Sequence, residues 1–431
     1  MLVQFKVGNF TSFKSEVTLS MMATNQKEFL DTHIFTAHGN LKLLRSSAIY
    51  GANASGKSNL FTAMGFMRFF ILNSSKNLRA KEHIPVDPFR LMPMMIKEPS
   101  FFEMIFIKDN VRYRYGFRAT QLKVVEEWLF AVTRVRNEEM LFQRVGSEFQ
   151  LSEKFIEGKG LEEKTRENAL FLSVIAQFNG EISNRILEWF DDLTLLTGLS
   201  YGHEGVNFNI LKSALSDQQS KKFLLNFMKK ADLGIEDVSL TEDEVPMDKI
   251  PKEVVSLIKQ VENIADVPFP RKQISINFHH RTFDEKSKRN GLIEFDMDDE
   301  SIGTRKLFNI MPAILYCLGK GRVLIIDELD SSLHPLLSRL IIRLFHEMNN
   351  QSYAQLIFNT HDSNLLSNKI FRRDQIWFTE KDEYGVTDLY SLADYNVRND
   401  ASYGKDYLMG KYGGIPYVGS FDFFEENNNG K

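Results

Sequence analysis

The chain has 431 residues, 43% of them hydrophobic and 26% charged, with a formal net charge of -4. That length suits two or three ordinary domains, or one large α/β domain carrying an insert, and the composition restricts expected disorder to the asparagine-rich stretch Glu425 to Lys431. The charge lacks the basic excess of proteins that coat nucleic acid, although local basic patches are left open.

The single cysteine, Cys317, rules out an intrachain disulfide and fits a reducing compartment. It lies in the apolar run Ala313 to Leu318, as an inert buried thiol would. Met1 to Lys6 lacks the basic start and apolar core of a signal peptide. No stretch reaches the roughly 18 apolar residues that span a bilayer. The expectation is a cytoplasmic protein that makes no membrane contact.

In chain order, Val3, Phe5 and Val7 alternate with Leu2, Gln4 and Lys6, the two-residue period of a half-buried strand. A turn at Gly8-Asn9 leads to a second strand over Val17 to Met22. Ser47 to Tyr50 is a short buried strand ending at Gly51, with helix formers from Lys57 onward. Phe101 to Ile107, Tyr113 to Arg118 and Val124 to Phe130 carry the aromatic and β-branched residues of strands. From about Leu161 to Ile264 the period becomes helical: Ile182, Ile186, Phe190 and Leu193 recur at three- and four-residue spacing, as do Val254, Ile258, Val261 and Ile264. Alternation returns at Ile274 to Phe278. Val323 to Ile326 is a continuous apolar run, as in a central parallel strand. Leu336, Leu337, Leu340, Ile341, Leu344, Phe345 and Met348 mark an amphipathic helix. Gln355 to Asn359, Gln375 to Thr379 and Asp388 to Leu392 extend the sheet. The pattern predicts an α/β fold assembled from both ends of the chain: an N-terminal lobe over 1–135, a mainly helical insert over 136–272 and a C-terminal lobe over 273–431.

Gly51-Ala52-Asn53-Ala54-Ser55-Gly56-Lys57-Ser58 matches the phosphate-binding loop at every fixed position. Glycines let backbone wrap a phosphate without a side-chain clash. Successive amides and the following helix start supply partial positive charge. Lys57 is expected on the β- and γ-phosphates and the Ser58 hydroxyl on Mg²⁺. In Val323 to Glu328, four apolar residues bury a strand and two carboxylates emerge at its C-terminal end, where open α/β sheets bind ligands. Asp327 is expected to hold Mg²⁺ and Glu328 to polarise the attacking water.

Three further segments carry a resemblance. Glu300-Ser301-Ile302-Gly303-Thr304-Arg305 resembles a degenerate ABC signature. Leu329 to Pro335 resembles an ABC D-loop, and Thr360-His361 resembles the switch histidine. In this order the chain resembles the ABC ATPase superfamily, which includes SMC, RecF and OLD proteins. Asn9 to Phe13, Asp327 to Pro335, Gln375 to Lys381 and Tyr412 to Pro416 are similar to the AAA-type ATPases of bacterial abortive-infection and anti-phage loci, such as the RloA and PARIS AriA groups.

The resemblance implies an ABC-type ATPase head with a mixed β-sheet and a parallel core sheet. It implies ATP and Mg²⁺ as cofactors, Gly51 to Ser58 with Asn59 and Asp330 lining the nucleotide, and His361 and Glu328 in catalysis with Lys57. It also implies that Ser301 and Gly303 touch the ATP of a partner subunit, in a homodimer or higher oligomer. The signature departs from transporter ATPases in lacking tandem glycines and glutamine. Pro88-Phe89-Arg90 stands where a Q-loop glutamine is expected. About 70 residues follow His361, too few for an OLD-type nuclease domain, and His279-His280 reads as a surface pair, not a metal site, since neighbours on a strand face opposite ways. The expected function is the sensor ATPase of an anti-phage system controlling a separately encoded effector. A RecF- or SMC-like DNA-repair ATPase, with nucleic acid as partner, and a nucleotide-gated scaffold with little turnover are the alternatives.

Overall fold

The structure, a computed structural model, describes every residue except 77–78, 80, 134–136, 197–207, 232–233, 245–271, 348–349, 351, 399–400 and 417–431. Two compact units divide the chain: Met1–Gly198 with Cys317–Lys431, and Leu199–Tyr316.

The first unit opens with β1 (Leu2–Gly8) and β2 (Val17–Ser20), followed by the small pair β3 (Ile34–Ala37) and β4 (Leu41–Leu44). Strand β5 (Ser46–Gly51) then runs into helix α1 (Lys57–Asn73). A meander of β6 (Ser100–Lys108), β7 (Val111–Ala119), β8 (Val124–Val132), β9 (Glu139–Val145) and β10 (Glu148–Leu151) joins β1 and β2 in a seven-stranded antiparallel sheet, order β10-β9-β8-β7-β6-β1-β2. Helices α2 (Phe171–Gln177) and α3 (Glu181–Asp191) and the short β11 (Thr194–Leu196) complete this half.

The second unit contains α4 (Phe208–Ser216), α5 (Gln218–Lys230) and a three-stranded antiparallel sheet of β12 (Ile235–Glu244), β13 (Lys272–Phe283) and β14 (Arg289–Asp296). Helix α6 (Ile302–Lys320) begins there. Within this unit His279 lies 3.0 Å from Ser239 Oγ, whereas His280 pairs with Glu300, so the two rings serve different neighbours. The helical period at Val254, Ile258, Val261 and Ile264 falls outside the described residues, as does the Glu425 to Lys431 stretch.

The remainder returns to the first unit: β15 (Val323–Ile326), α7 (Pro335–His346), β16 (Gln355–Asn359), β17 (Ile376–Lys381), β18 (Thr387–Ser391) and α8 (Tyr403–Leu408). The central sheet has the order β11-β15-β16-β5-β17-β18, parallel throughout except for the antiparallel edge strand β18. All residues of β5, β15 and β16 are buried, and β15 is apolar throughout, as in a central parallel strand. The α/β class with a parallel core sheet is therefore as the sequence predicts.

The domain boundaries differ from the sequence expectation. Residues 139–151 are strands of the antiparallel sheet, and α3 packs its Ile186, Trp189 and Phe190 into the same core, with Trp189 stacked on Phe106 at 4.2 Å. Full burial of Ile186 and Phe190 contributes about 1.5–3 kcal/mol each. Helical periodicity marks a helix but does not reveal which core its apolar face joins. The separate unit begins near residue 199, not 136, and combines helices with a sheet.

A buried glutamine ties the two sheets of the first unit. Gln355, at the start of β16, accepts from the Leu2 amide at 2.6 Å and donates to the carbonyls of Leu2 and Leu44 at 3.1 and 3.0 Å. It satisfies backbone groups that would otherwise be buried without partners.

Candidate nucleotide site

The parallel register brings the C-terminal ends of three strands to one edge. Ile49 lies opposite Asn359, Ile326 opposite Phe358, and Gly51 opposite Thr379. The phosphate loop, the Asp327-Glu328 pair and Thr360-His361 leave these ends together, although the loop precedes the other two by some 270 to 310 residues in sequence.

The loop's glycines are required by space. Gly51 has φ 154°, and a Cβ there would lie 2.5 Å from the Thr379 carbonyl and 2.6 Å from Ser55 Oγ. Gly56 has φ 107°, a conformation that L side chains rarely adopt, and a Cβ would meet Ser12 Oγ at 2.9 Å. Gly56 is also the N-cap of α1 and brings no side chain to the amides of the first turn, so these remain suited to an anion. Asn53 and Ala54 are exposed at the loop crest, with Ala54 at φ 62°, and Ala52 is half-buried.

Lys57 is buried, and its Nζ donates to the carbonyls of Gly51 and Ala52, each at 2.8 Å. Burial pushes its ammonium down to about 8, while the carboxylates of Glu328, Asp327 and Asp330 pull it back up. It remains mostly charged at neutral pH. The exposed Ser58 hydroxyl donates to Asp327 Oδ1 at 3.0 Å. A hydroxyl and a carboxylate oxygen side by side match the hard oxygen donors that Mg²⁺ prefers.

Glu328 is exposed and has φ 54°, unusual for a residue with a side chain. A residue not anticipated from sequence holds it there. The fully buried Asn359 donates to Asp327 Oδ1 and accepts from the Glu328 amide, and its carbonyl accepts from the Leu329 amide at 3.2 Å. Asn359 thus holds the Asp327 carboxylate and the backbone that carries Glu328. Its position at a strand end, just before Thr360-His361, was its one signal in the sequence.

The His361 amide donates to Asp330 Oδ2 at 3.1 Å, which links the Leu329 to Pro335 segment to Thr360-His361. His361 is exposed, yet partial desolvation and then the Lys57 charge hold its pKa below the ordinary histidine range. His334, outside this group, caps α7 by accepting from the Leu336 amide at 3.2 Å.

Asn59 turns aside from the loop: its amide donates to Ser12 Oγ at 2.7 Å. The Thr387 hydroxyl lies 2.8 Å from Ser12 Oγ and 2.9 Å from the Ser55 carbonyl, and Ser55 Oγ lies 2.6 Å from Thr379 Oγ1. Ser12, Thr379 and Thr387 therefore splint the loop from behind. Phe89 is buried and donates its amide to Asn9 Oδ1 at 3.2 Å, which joins the Pro88-Phe89-Arg90 segment to the Asn9-Phe10 motif.

Ser301 and Gly303 belong to the second unit. Ser301 Oγ accepts from the Thr304 amide at 3.1 Å and so caps the start of α6, while the neighbouring Ile302 is 65% exposed. Cys317 is buried, and burial pushes its thiol up to about 12, as suits an inert side chain. Among the described residues no helix is long and apolar enough to cross a membrane.

Several solved structures are similar to this chain, each over 90% of its length. An Smc head bound to the C-winged helix domain of ScpA is 12% identical, with 97% of that chain covered and a TM-score of 0.42. The SMC head domain from Thermotoga maritima is 12% identical, with 98% covered and a TM-score of 0.37. An Smc head domain with an extended coiled coil, bound to the C-terminal domain of ScpA derived from Pyrococcus furiosus, is 11% identical, with 96% covered and a TM-score of 0.35. No curated protein matches. Residues 46–367, which run from the phosphate-loop strand past the switch histidine, match the family described as "AAA domain, putative AbiEii toxin, Type IV TA system", and the chain belongs to that family of AAA-type ATPases.

Proposed function

We propose that the chain binds and hydrolyses ATP with Mg²⁺, and that it is the sensor or regulatory subunit of an anti-phage system whose effector is a separate protein. The observation that carries the ATPase reading is the meeting of Lys57, the Ser58 hydroxyl and the Asp327 carboxylate at the ends of the parallel strands β5 and β15, which flank β16. Ser58 and Asp327 would hold the metal, whose charge would offset that of the phosphates. Lys57 exchanges its two carbonyl partners for phosphate oxygens, and the amides at the start of α1 complete the cradle. Glu328, outside the Ser58–Asp327 contact and exposed, takes the proton of the attacking water. His361 offers a hydrogen bond near the same point.

The words toxin and type IV TA system in the family description support a defence context. The similarity of Asn9 to Phe13, Gln375 to Lys381 and Tyr412 to Pro416 to the RloA and AriA groups supports the same reading. Lys57→Ala tests both levels. Removing the charge-assisted contact should leave a folded protein whose ATP affinity, titrated with a fluorescent analogue, falls at least ~100-fold and whose phosphate release is lost. Wild-type cells carrying the chain with its neighbouring reading frame should resist some phages, and Lys57→Ala cells should not. Normal ATP affinity in the folded variant would remove the ATPase reading. Resistance from this chain without any neighbour would remove the two-component reading.

A further inference from the structure

The segment Tyr412-Gly413-Gly414-Ile415-Pro416 has no chemical role in the reading above, yet it lies against the phosphate loop. Gly414 has φ 64°, and a Cβ there would lie 3.7 Å from Gly51 Cα and 3.4 Å from the Thr379 carbonyl. Gly413, at φ 68°, leaves no room for a side chain beside the Tyr390 hydroxyl and Glu380. Phenols hold this turn. Tyr390 and Tyr395 hydroxyls reach the Tyr412 carbonyl at 2.8 and 3.3 Å, and the Tyr407 hydroxyl donates to the Gly414 carbonyl at 3.0 Å.

Tyr407 does more than hold the turn. Its buried ring stacks on Phe378 at 5.5 Å and meets the edge of Tyr50 at 6.1 Å, Tyr50 being the residue before Gly51. The Gly414 turn that its hydroxyl holds lies in turn against Gly51. From the same short helix, Gly404 approaches the chain just after the switch histidine. A Cβ at Gly404 would lie 2.6 Å from the Ser363 carbonyl and 3.2 Å from the Leu366 carbonyl. One six-residue helix therefore touches the base of the phosphate loop with one side chain and the turn following His361 with its backbone.

We propose that Tyr407 is a positioning residue for ATP binding, and that α8 with its following turn braces the phosphate loop against the loop that carries His361. The inference rests on the ATPase reading for its kinetic consequences, but the brace itself is readable without nucleotide. Tyr407→Phe keeps the ring stack and removes the hydroxyl contact to the Gly414 carbonyl, so it should loosen the turn that lies against Gly51. Gly404→Ala suits a helix at least as well as glycine but pushes α8 off the Ser363–Leu366 turn, so it should disturb the histidine arm. Tyr395→Phe removes a turn contact that does not reach Gly51, and serves as the control.

The experiment measures steady-state phosphate release and, without nucleotide, amide hydrogen exchange over residues 51–58 and 361–366. Tyr407→Phe is expected to raise KM for ATP about five-fold, the weight of one neutral hydrogen bond, with kcat within about twofold of wild type, and to speed exchange over 51–58. Gly404→Ala is expected to lower kcat about ten-fold with little change in KM and to speed exchange over 361–366. Tyr395→Phe should match wild type in KM. Unchanged KM and unchanged exchange in Tyr407→Phe would overturn the proposal, as would an equal rise in KM from Tyr395→Phe. A wild-type chain that does not hydrolyse ATP would remove the ATPase reading, while the exchange comparison alone would still decide the brace.

Discussion

At the scale of single residues, the proposed chemistry assigns metal binding and proton transfer to neighbouring residues of one dipeptide. Asp327 is engaged by Ser58 and Asn359, whereas Glu328, held at φ 54° by its amide contact to Asn359, points an exposed carboxylate elsewhere. Glu328→Gln keeps the size, the backbone conformation and the Asp327 contacts. It should therefore bind ATP with unchanged affinity and hydrolyse it about 10²- to 10⁴-fold more slowly, the range for losing a general base. Equilibrium titration beside single-turnover phosphate release separates the two. Unchanged turnover would show that Glu328 is not the base. The residues of this dipeptide were legible in the sequence because the chemistry demands them next to each other, after an apolar run. Asn359 was not, because its role depends on β16 lying beside β15, a pairing between residues 31 and 32 positions apart that periodicity cannot announce.

At the scale of elements, helices of the first unit are anchored by polar groups buried beneath them. Glu127 on β8 is fully buried and accepts from the amides of Phe171 and Leu172, the first residues of α2, at 2.6 and 3.0 Å, and from the Tyr115 hydroxyl at 2.9 Å. It occupies a helix start that has no side-chain cap of its own. Arg144 lies 3.8 Å from it and donates to the carbonyls of Gly146 and Ala169 at 2.9 and 2.8 Å. Burial raises the Glu127 pKa, and the Arg144 charge is the largest influence opposing it. Glu127→Ala would strip two amides and a hydroxyl of their acceptor and leave Arg144 uncompensated. It should cost about 3–5 kcal/mol, measured by urea denaturation, and a loss under about 1 kcal/mol would show that water replaces the carboxylate. The strand around Glu127 was legible from its aromatic and β-branched residues. The ownership of the helices was not, because α3 has the same periodicity whether its apolar face meets this core or another. The amphipathic pattern over Leu336 to Phe345 has a similar limit: it places α7 correctly, but Leu336, in the first turn, is 67% exposed.

At the scale of the whole molecule, the residues that the resemblance implies for nucleotide belong to two units of the chain. Lys57, Ser58, Asp327, Glu328 and His361 belong to the first, Ser301 and Gly303 to the second. The signature resemblance implies that Ser301 acts on nucleotide held by another subunit. Mixing two variants tests this arrangement without a structure of the assembly. Lys57→Ala removes the phosphate contact of its own loop, and Ser301→Ala removes the contribution made to the partner. Each alone should be inactive, since every site in its homodimer carries a defect. In a heterodimer of the two, one site collects both defects and the other is intact. Equal amounts allowed to exchange subunits freely give half heterodimers, so about a quarter of the wild-type hydrolysis rate should return, as two-fold symmetry requires. If Ser301 instead serves the ATP of its own chain, no pairing of these subunits creates an intact site, and mixing restores nothing.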